Sequence, residues 1–210
     1  MTLIIVLIPL LLFADSNERP IEYAFALHWI AEEYPSKVLD VGVGGSPLPA
    51  LIQWMRIKVV ATDIAIVRNK HFSVTIDDIT KTNLSPESFD MVLCISTLEH
   101  IPDADKAVEN MFKLLKNDGL LIFTFPYTED RYIDNVYKLV NLKRPYICQS
   151  FNRENLNGWI RKKGKIIEQT YYDCWKGEFW RKGKQVIPPK KTSKTKDHDM
   201  TCIAIRKTKI

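Results

Sequence analysis

Three carboxylates and a cluster of glycines carry the chemistry legible in this sequence. Gly42, Gly44 and Gly45 follow Val38-Leu39-Asp40-Val41. Glycines at that density permit positive φ angles and remove the side chains that would hold a ligand off the main chain. Asp40 adds a fixed negative charge two residues before the first glycine, which disfavours a phosphate and suits a cation. The dinucleotide fingerprint G-x-G-x-x-G is also incomplete, because Pro47 stands at its third glycine position. Asp63 closes the apolar run Val59-Val60-Ala61, and Asp77 and Asp78 follow Phe72 to Ile76. A carboxylate closing a second strand can accept from both hydroxyls of a ribose, each charged hydrogen bond contributing about 1.5 to 3 kcal/mol when shielded from water. An acid after a third strand can accept from an exocyclic amine, and Ile64 and Ile79 offer apolar faces to a purine ring. Together these groups describe an adenosine site beside a glycine turn that tolerates a cation.

Such a site needs strands that end together. Val38 to Val41, Lys58 to Thr62, Phe72 to Ile76, Phe89 to Ile95 and Leu120 to Phe125 read as strands, the fourth nearly all apolar as expected for one covered on both faces. Helical spacing runs between them. Ser16 or Asn17 can cap a first helix with Pro20 in its first turn, and Leu48 to Met55 reads as a short second one. Asp103 to Lys116 follows with Ala107, Val108, Met111, Leu114 and Leu115 on one side and Gly119 as its stop. Alternating strands and helices predict an α/β architecture with a parallel sheet, whose ligands sit outside the carboxyl ends of the strands. Further on, Asn152 caps a helix over 151–163, Gly164 ends it, and Lys165 to Tyr172 and Met200 to Arg206 are strand-like.

Length and composition bound the rest. A chain of 210 residues with 46% hydrophobic content is most simply one soluble domain. Its four cysteines, at 94, 148, 174 and 202, show neither C-x-x-C pairs nor metal spacing, which points to a reducing, cytoplasmic home and to no bound metal. Thr2 to Phe13 is apolar but broken by Pro9; as a helix it would reach about 18 Å, short of the roughly 30 Å hydrocarbon core, so it suits packing on the protein or a membrane-surface contact better than a span. The net charge of +5 is uneven. Residues 161–210 hold 15 basic against 5 acidic side chains, leaving 15 against 20 in the remainder. That basic region is either a solvated loop or a contact for nucleic acid or an anionic membrane.

The ordered motifs resemble the class I S-adenosylmethionine-dependent methyltransferases, specifically the group that shares the small-molecule methyltransferase domain. The resemblance is carried by Val-Leu-Asp-Val-Gly-Val-Gly-Gly-Ser (38–46), Val-Val-Ala-Thr-Asp-Ile (59–64), Asp-Ile-Thr (78–80), Ser-Phe-Asp-Met-Val-Leu-Cys-Ile-Ser-Thr-Leu-Glu-His-Ile (88–101) and Leu-Lys-Asn-Asp-Gly-Leu-Leu-Ile-Phe-Thr-Phe-Pro (115–126). It implies a three-layer Rossmann-like fold with a mostly parallel sheet of about seven strands, the last, Met200 to Arg206, antiparallel. Residues 1–35 would form an apolar segment and a leading helix, and 36–210 a single domain with a basic insertion at about 174–198. The resemblance further implies S-adenosyl-L-methionine as cofactor. Asp40 and the backbone of Gly42 and Gly44 would hold its methionine part and Asp63 its ribose. Asp78, chosen over Asp77 by its distance to Phe89, would meet the adenine between Ile64 and Ile79, with Cys94 to Ser96 passing beneath the methionine. Ser46 departs from the pattern where many members carry a third glycine.

The acceptor is not specified by these motifs; a small molecule is the default expectation. Glu99 and His100 follow the fourth strand and would lie near the methyl group, His100 either as a general base or as a structural histidine. Arg19 and Tyr23 are candidates for contacting cofactor or acceptor, and Tyr127, Tyr132, Trp175, Phe179 and Trp180 for walling an acceptor pocket. The alternatives are a non-catalytic relative that binds nucleic acid or membrane through its basic region, and a nicotinamide-dependent oxidoreductase, which Pro47 and Asp40 disfavour.

Overall fold

The computed structural model describes residues 18–161 and 163–208. The expectations for the apolar residues 1–15 and for a cap at Ser16 or Asn17 lie outside the described residues. In chain order the elements are α1 (Arg19–Glu33), β1 (Lys37–Val41), α2 (Leu48–Trp54), β2 (Lys58–Asp63), β3 (Val74–Ile76), β4 (Phe89–Ile95), α3 (Ala104–Leu114), β5 (Leu115–Pro126), α4 (Val136–Leu139), α5 (Arg153–Ile160), β6 (Gly164–Trp175), β7 (Gln185–Thr192) and β8 (Met200–Lys207), with short 3₁₀ turns at Ile79–Lys81 and Leu98–His100. They build one eight-stranded sheet in the order β3-β2-β1-β4-β5-β8-β6-β7. Strands β1 to β5 pair in parallel, and β8 runs antiparallel to both β5 and β6.

Strand order reverses between β1 and β4, where Val38, Leu39 and Asp40 stand beside Met91, Val92 and Leu93. The two crossovers leave the sheet on opposite faces there, so a crevice opens above the carboxyl ends of these strands. Alternation along each strand feeds two cores. Val38, Met91, Leu93 and Ile122 join Ala26 and Ile30 of α1 and Leu48 and Ile52 of α2. Leu39, Val92, Cys94, Leu121 and Phe123 join Ala107, Val108 and Met111 of α3 and Trp159 of α5. Each fully buried aliphatic side chain contributes about 1.5–3 kcal/mol, so both helix layers are held firmly to the sheet.

Two expectations change. The helix read over Asp103 to Lys116 does begin with Asp103, whose carboxylate accepts from Lys106 N at 3.0 Å, but it ends at Leu114 and not at Gly119. Leu115 already pairs with Phe89, and register resumes at Leu120 opposite Met91, so the intervening residues bulge, with Asp118 at φ 63°. A Cβ on Gly119 would stand 3.0 Å from the main-chain oxygens of Asp90 and Lys116, so this glycine serves close backbone approach in the bulge. Leu114-Leu115 continues the helical period, and periodicity alone could not separate the last helical residue from the first of the strand.

The second change is an additional strand. The 174–198 segment, read as an irregular insertion, contributes β7, which pairs antiparallel with β6 and makes the sheet eight-stranded. Pro188 and Pro189 fall where the β6–β7 register shifts, between Gln185 opposite Trp175 and Lys190 opposite Asp173, so the ladder does not call on the N–H that each proline lacks.

Candidate functional site

A cavity of about 970 Å³ opens at the β1/β4 crevice. Of the nine residues named from the sequence, eight line it: Asp40, Gly42, Gly44, Asp63, Ile64, Asp78, Ile79 and Ser96. Cys94 does not. Its side chain is fully buried in the α3-side core with Leu39, Val41 and Phe123, because alternation along β4 turns residue 94 away from the face that residues 93 and 95 share. The chain passes the cavity through Ile95, Ser96 and Thr97 instead.

The glycine turn is shaped by its neighbours. Gly42 has φ 72°, and a Cβ there would meet Thr97 Cγ2 at 2.1 Å. Thr97 Oγ1 in turn donates to the Gly42 carbonyl at 3.1 Å. Gly44, at φ 48°, has nothing within 4 Å of an added Cβ, so its main chain faces open space. Ser46, the departure from the family pattern, closes the turn: its Oγ accepts from the Tyr23 hydroxyl at 2.9 Å and from Leu48 N at 3.1 Å.

Asp40 is 3% exposed, and its Oδ2 has no hydrogen-bond partner among the described residues. Burial pushes its carboxyl up to about 8, against the pull of the Arg19 guanidinium. Such a group is held neutral until a cation arrives beside it. Asp63 binds the turn directly, Oδ2 accepting from Gly44 N at 2.8 Å and Oδ1 from Ala65 N at 2.9 Å. Each oxygen keeps a second lone pair for a ligand hydroxyl.

The acids after β3 divide their tasks in a way the sequence did not show. Asp78 caps the 3₁₀ turn, Oδ1 accepting from Thr80 N at 3.0 Å and Thr80 Oγ1 at 2.7 Å, and the Thr80 hydroxyl, with Lys81 nearby, holds its pKa below the ordinary value. Asp77 also lines the cavity, and its Oδ2 is buried without a partner among the described residues.

Sequence reasoning missed Glu22. This residue of α1 is fully buried; its carboxylate accepts from Ser96 Oγ, from Thr124 Oγ1 at 2.8 Å and from Arg19 at 3.1 Å. It secures Ser96 at φ 43°, a left-handed conformation stabilised further by Ser96 N donating to the Thr124 carbonyl at 3.0 Å. The signal was faint: one acid on the apolar side of an amphipathic helix. Arg19 and Tyr23 also line the cavity. The aromatic residues proposed as an acceptor wall do not, and Trp175 lines a separate cavity with Asp173 and His198. Tyr127, Phe179 and Trp180 are buried in the cores, and Tyr132 donates to Gln149 at 2.6 Å. Tyr146 takes that place, with His100 and Ile101 beside it on the cavity wall.

The sheet order, the glycine turn at its switch point and the acids closing successive strands define the class I S-adenosylmethionine-dependent methyltransferase fold. Comparison with known proteins agrees. A family model described as a methyltransferase domain matches residues 15–168; the chain belongs to that family. It is 33% identical to the ubiquinone biosynthesis O-methyltransferase of Histophilus somni, over 69% of this chain and 71% of the relative. For other curated relatives of that name the match covers about half their length, 45%, 55% and 49%. Among solved structures, N-methyltransferase NodS from Bradyrhizobium japonicum, in complex with S-adenosyl-L-homocysteine, superposes with a TM-score of 0.61 at 14% identity, covering 93% of this chain and 89% of its own. The 1,6-didemethyltoxoflavin-N1-methyltransferase of Burkholderia thailandensis gives 0.60 at 16% identity, covering 94% and 81%. Among the described residues no helix is long and apolar enough to cross a membrane, and no group of three or more His, Cys, Asp or Glu could hold a metal ion.

Proposed function

We propose that the protein transfers a methyl group from S-adenosyl-L-methionine to a small-molecule acceptor. The observation that carries this reading is the buried carboxylate oxygen of Asp40, without a hydrogen-bond partner among the described residues, on the cavity that the glycine turn also lines. A buried charge without a partner is costly, and a cationic ligand head group seated there would supply one. Asp63 holds two further acceptor positions at the end of β2 for ribose hydroxyls. Asp77 and Asp78 face the amine end of a purine, and Ile79 gives it an apolar bed. These residues therefore fit the cofactor.

When bound, the cofactor supplies an activated methyl group on a positively charged sulfur. The chain's own residues do the positioning. Ser96 and Thr97, fixed by Glu22, Thr124 and the Gly42 carbonyl, form a rigid floor; Tyr23, tied to Ser46, and Arg19 close the α1 side. Holding reactants in line and excluding water is worth several kcal/mol or more. The relatives support a small acceptor: one group is named for ubiquinone biosynthesis, and the B. thailandensis enzyme was solved with bound 1,6-didemethyltoxoflavin.

Calorimetric titration with S-adenosyl-L-homocysteine tests the proposal. A one-site isotherm weakened at least tenfold by Asp63→Ala is expected; no heat at millimolar ligand from folded protein would overturn it.

A further inference from the structure

We propose that His100 is the general base of this reaction and that the acceptor it serves is an aromatic hydroxyl; the proposal rests on the methyltransferase reading above. The ring is held in one tautomer. His100 Nδ1 lies 2.7 Å from the carbonyl oxygen of Ile147. A carbonyl has no proton to give, so Nδ1 carries the hydrogen and donates it, leaving a lone pair on Nε2. That is the form of histidine able to take a proton from a substrate.

Position agrees with chemistry. His100 ends the turn that leaves β4 immediately after Ser96 and Thr97, and all three line the same cavity. Tyr137 stacks on the imidazole at 6.4 Å with 22° between planes, and Tyr146 meets it edge-on at 4.8 Å and 70°. Tyr146 also lines the cavity and is 47% exposed. A flat aromatic acceptor therefore has a ring to rest against beside His100.

Burial first, and then the charged groups facing His100, favour its neutral form. Burial pushes the imidazole below its ordinary pKa; Arg19 from α1 and Arg181 from the β6–β7 connection push the same way, and the Ile147 carbonyl pulls it up. Glu99 lies 3.8 Å away, Oε1 to Nε2. Its carboxyl is pushed up to about 8 by burial, which weakens its hold on the ring as an imidazolium. The hydroxyphenyl groups of Tyr137 and Tyr146 complete the surroundings.

A base is needed only when the acceptor keeps its proton at neutral pH, as an alcohol, a phenol or an amine cation does; the positive charges of Arg19 and Arg181 acting on His100 favour the neutral hydroxyl over the cation. In the step assigned here the hydroxyl O–H bond breaks and its proton goes to His100 Nε2. The oxygen pair forms the new C–O bond to the methyl carbon, and the C–S bond breaks with its electrons passing to sulfur, which loses its positive charge. The proton later leaves His100 to solvent. Charge and atoms balance without another reactant.

The test combines three readings on the full chain. First, ¹⁵N spectra of the imidazole in ligand-free protein should show Nδ1 protonated and Nε2 unprotonated at pH 7; a protonated Nε2 would overturn the proposal. Second, His100→Asn, whose amide can still donate to Ile147, should bind S-adenosyl-L-homocysteine within about threefold of the parent while methylating phenol or catechol about 100-fold more slowly. Third, that loss should shrink to a few-fold with 4-nitrophenol, which ionises near neutrality and needs no base. Equal losses for phenol and 4-nitrophenol, or methyl transfer to amines but to none of these hydroxyls, overturn the role of His100. Failure of the parent protein to bind S-adenosyl-L-homocysteine would instead sink the methyltransferase reading itself.

Discussion

The buried carboxylate of Glu22 accepts a hydrogen bond from the hydroxyl of Ser96, although 74 residues separate them in the chain. That contact ties α1 to the end of β4 and makes the leading helix part of the site. Removing an acceptor shared by Ser96, Thr124 and Arg19 leaves three donors to be satisfied. Glu22→Ala should therefore lower stability by about 2–4 kcal/mol, read as a shifted urea midpoint with an unchanged slope. Glu22→Gln, which keeps the shape and one acceptor oxygen, should lose about half as much.

The glycines of the turn are not equivalent. Gly42→Ala places a Cβ 2.1 Å from Thr97 at φ 72°; cofactor binding should fall at least 100-fold and the melting temperature should drop by several degrees, since relief requires moving Thr97 or the turn. Gly45 is exposed, with nothing near an added Cβ and no positive φ. Gly45→Ala should leave both quantities within about 0.5 kcal/mol of the parent. Loss of binding in the second variant alone would contradict this account of the turn.

Asp40 gives a pH dependence of defined sign. Its folded-state pKa of about 8 lies above the ordinary carboxylate value, so the native state binds more protons than the unfolded state across that interval. Its contribution to stability falls as pH rises from about 4 towards 8. Asp40→Asn removes that fall and should stabilise the ligand-free protein at pH 8 by on the order of 1–3 kcal/mol, while weakening cofactor binding. Glu99 and Asp199 are raised as well, to about 8 and about 7, so a residual slope should remain in the variant. Denaturation curves at pH 5.5 and 8.5 measure both effects.

Binding of a cationic ligand beside Asp40 should ionise it. Near pH 7 the association is then expected to release close to one proton, seen as a binding enthalpy that varies with the ionisation enthalpy of the buffer. A buffer-independent enthalpy would mean that the ligand's positive group sits elsewhere.

Asp63 offers a comparison with a different outcome. Both of its oxygens accept main-chain hydrogen bonds, from Gly44 and Ala65, so Asp63→Asn turns one acceptor into a donor facing an N–H. Stability should fall by about 1–2 kcal/mol and affinity at least tenfold. Unlike Asp40→Asn, this change should lower both together.

Much of this protein was legible in its residues. Hydrophobic period located β1, β2 and β4 nearly to the residue, because each holds a run of apolar residues bounded by charged or turn residues. Successive strand ends carrying Asp40, Asp63 and Asp78 could be assigned to one site, since a parallel sheet brings its carboxyl ends to one side. The number of strands was less legible. Lys190-Lys191 and the two prolines of β7 look like a loop, and only the pairing of Lys190 and Lys191 with β6, with the prolines in the register shift beside them, makes the segment a strand.

What the sequence determined by itself was the local grammar: apolar period, glycine density and an acid at the end of each of the first three strands. The tertiary structure alone decided which side chains those signals leave free. Cys94 points into the core although its neighbours line the cavity, and Asp78 is occupied by its own turn while Asp77 is not. Glu22 meets Ser96, and His100 meets the Ile147 carbonyl, across separations that no local pattern records. Such pairings depend on how helices and loops dock against the sheet, which is set by the packing of many side chains at once.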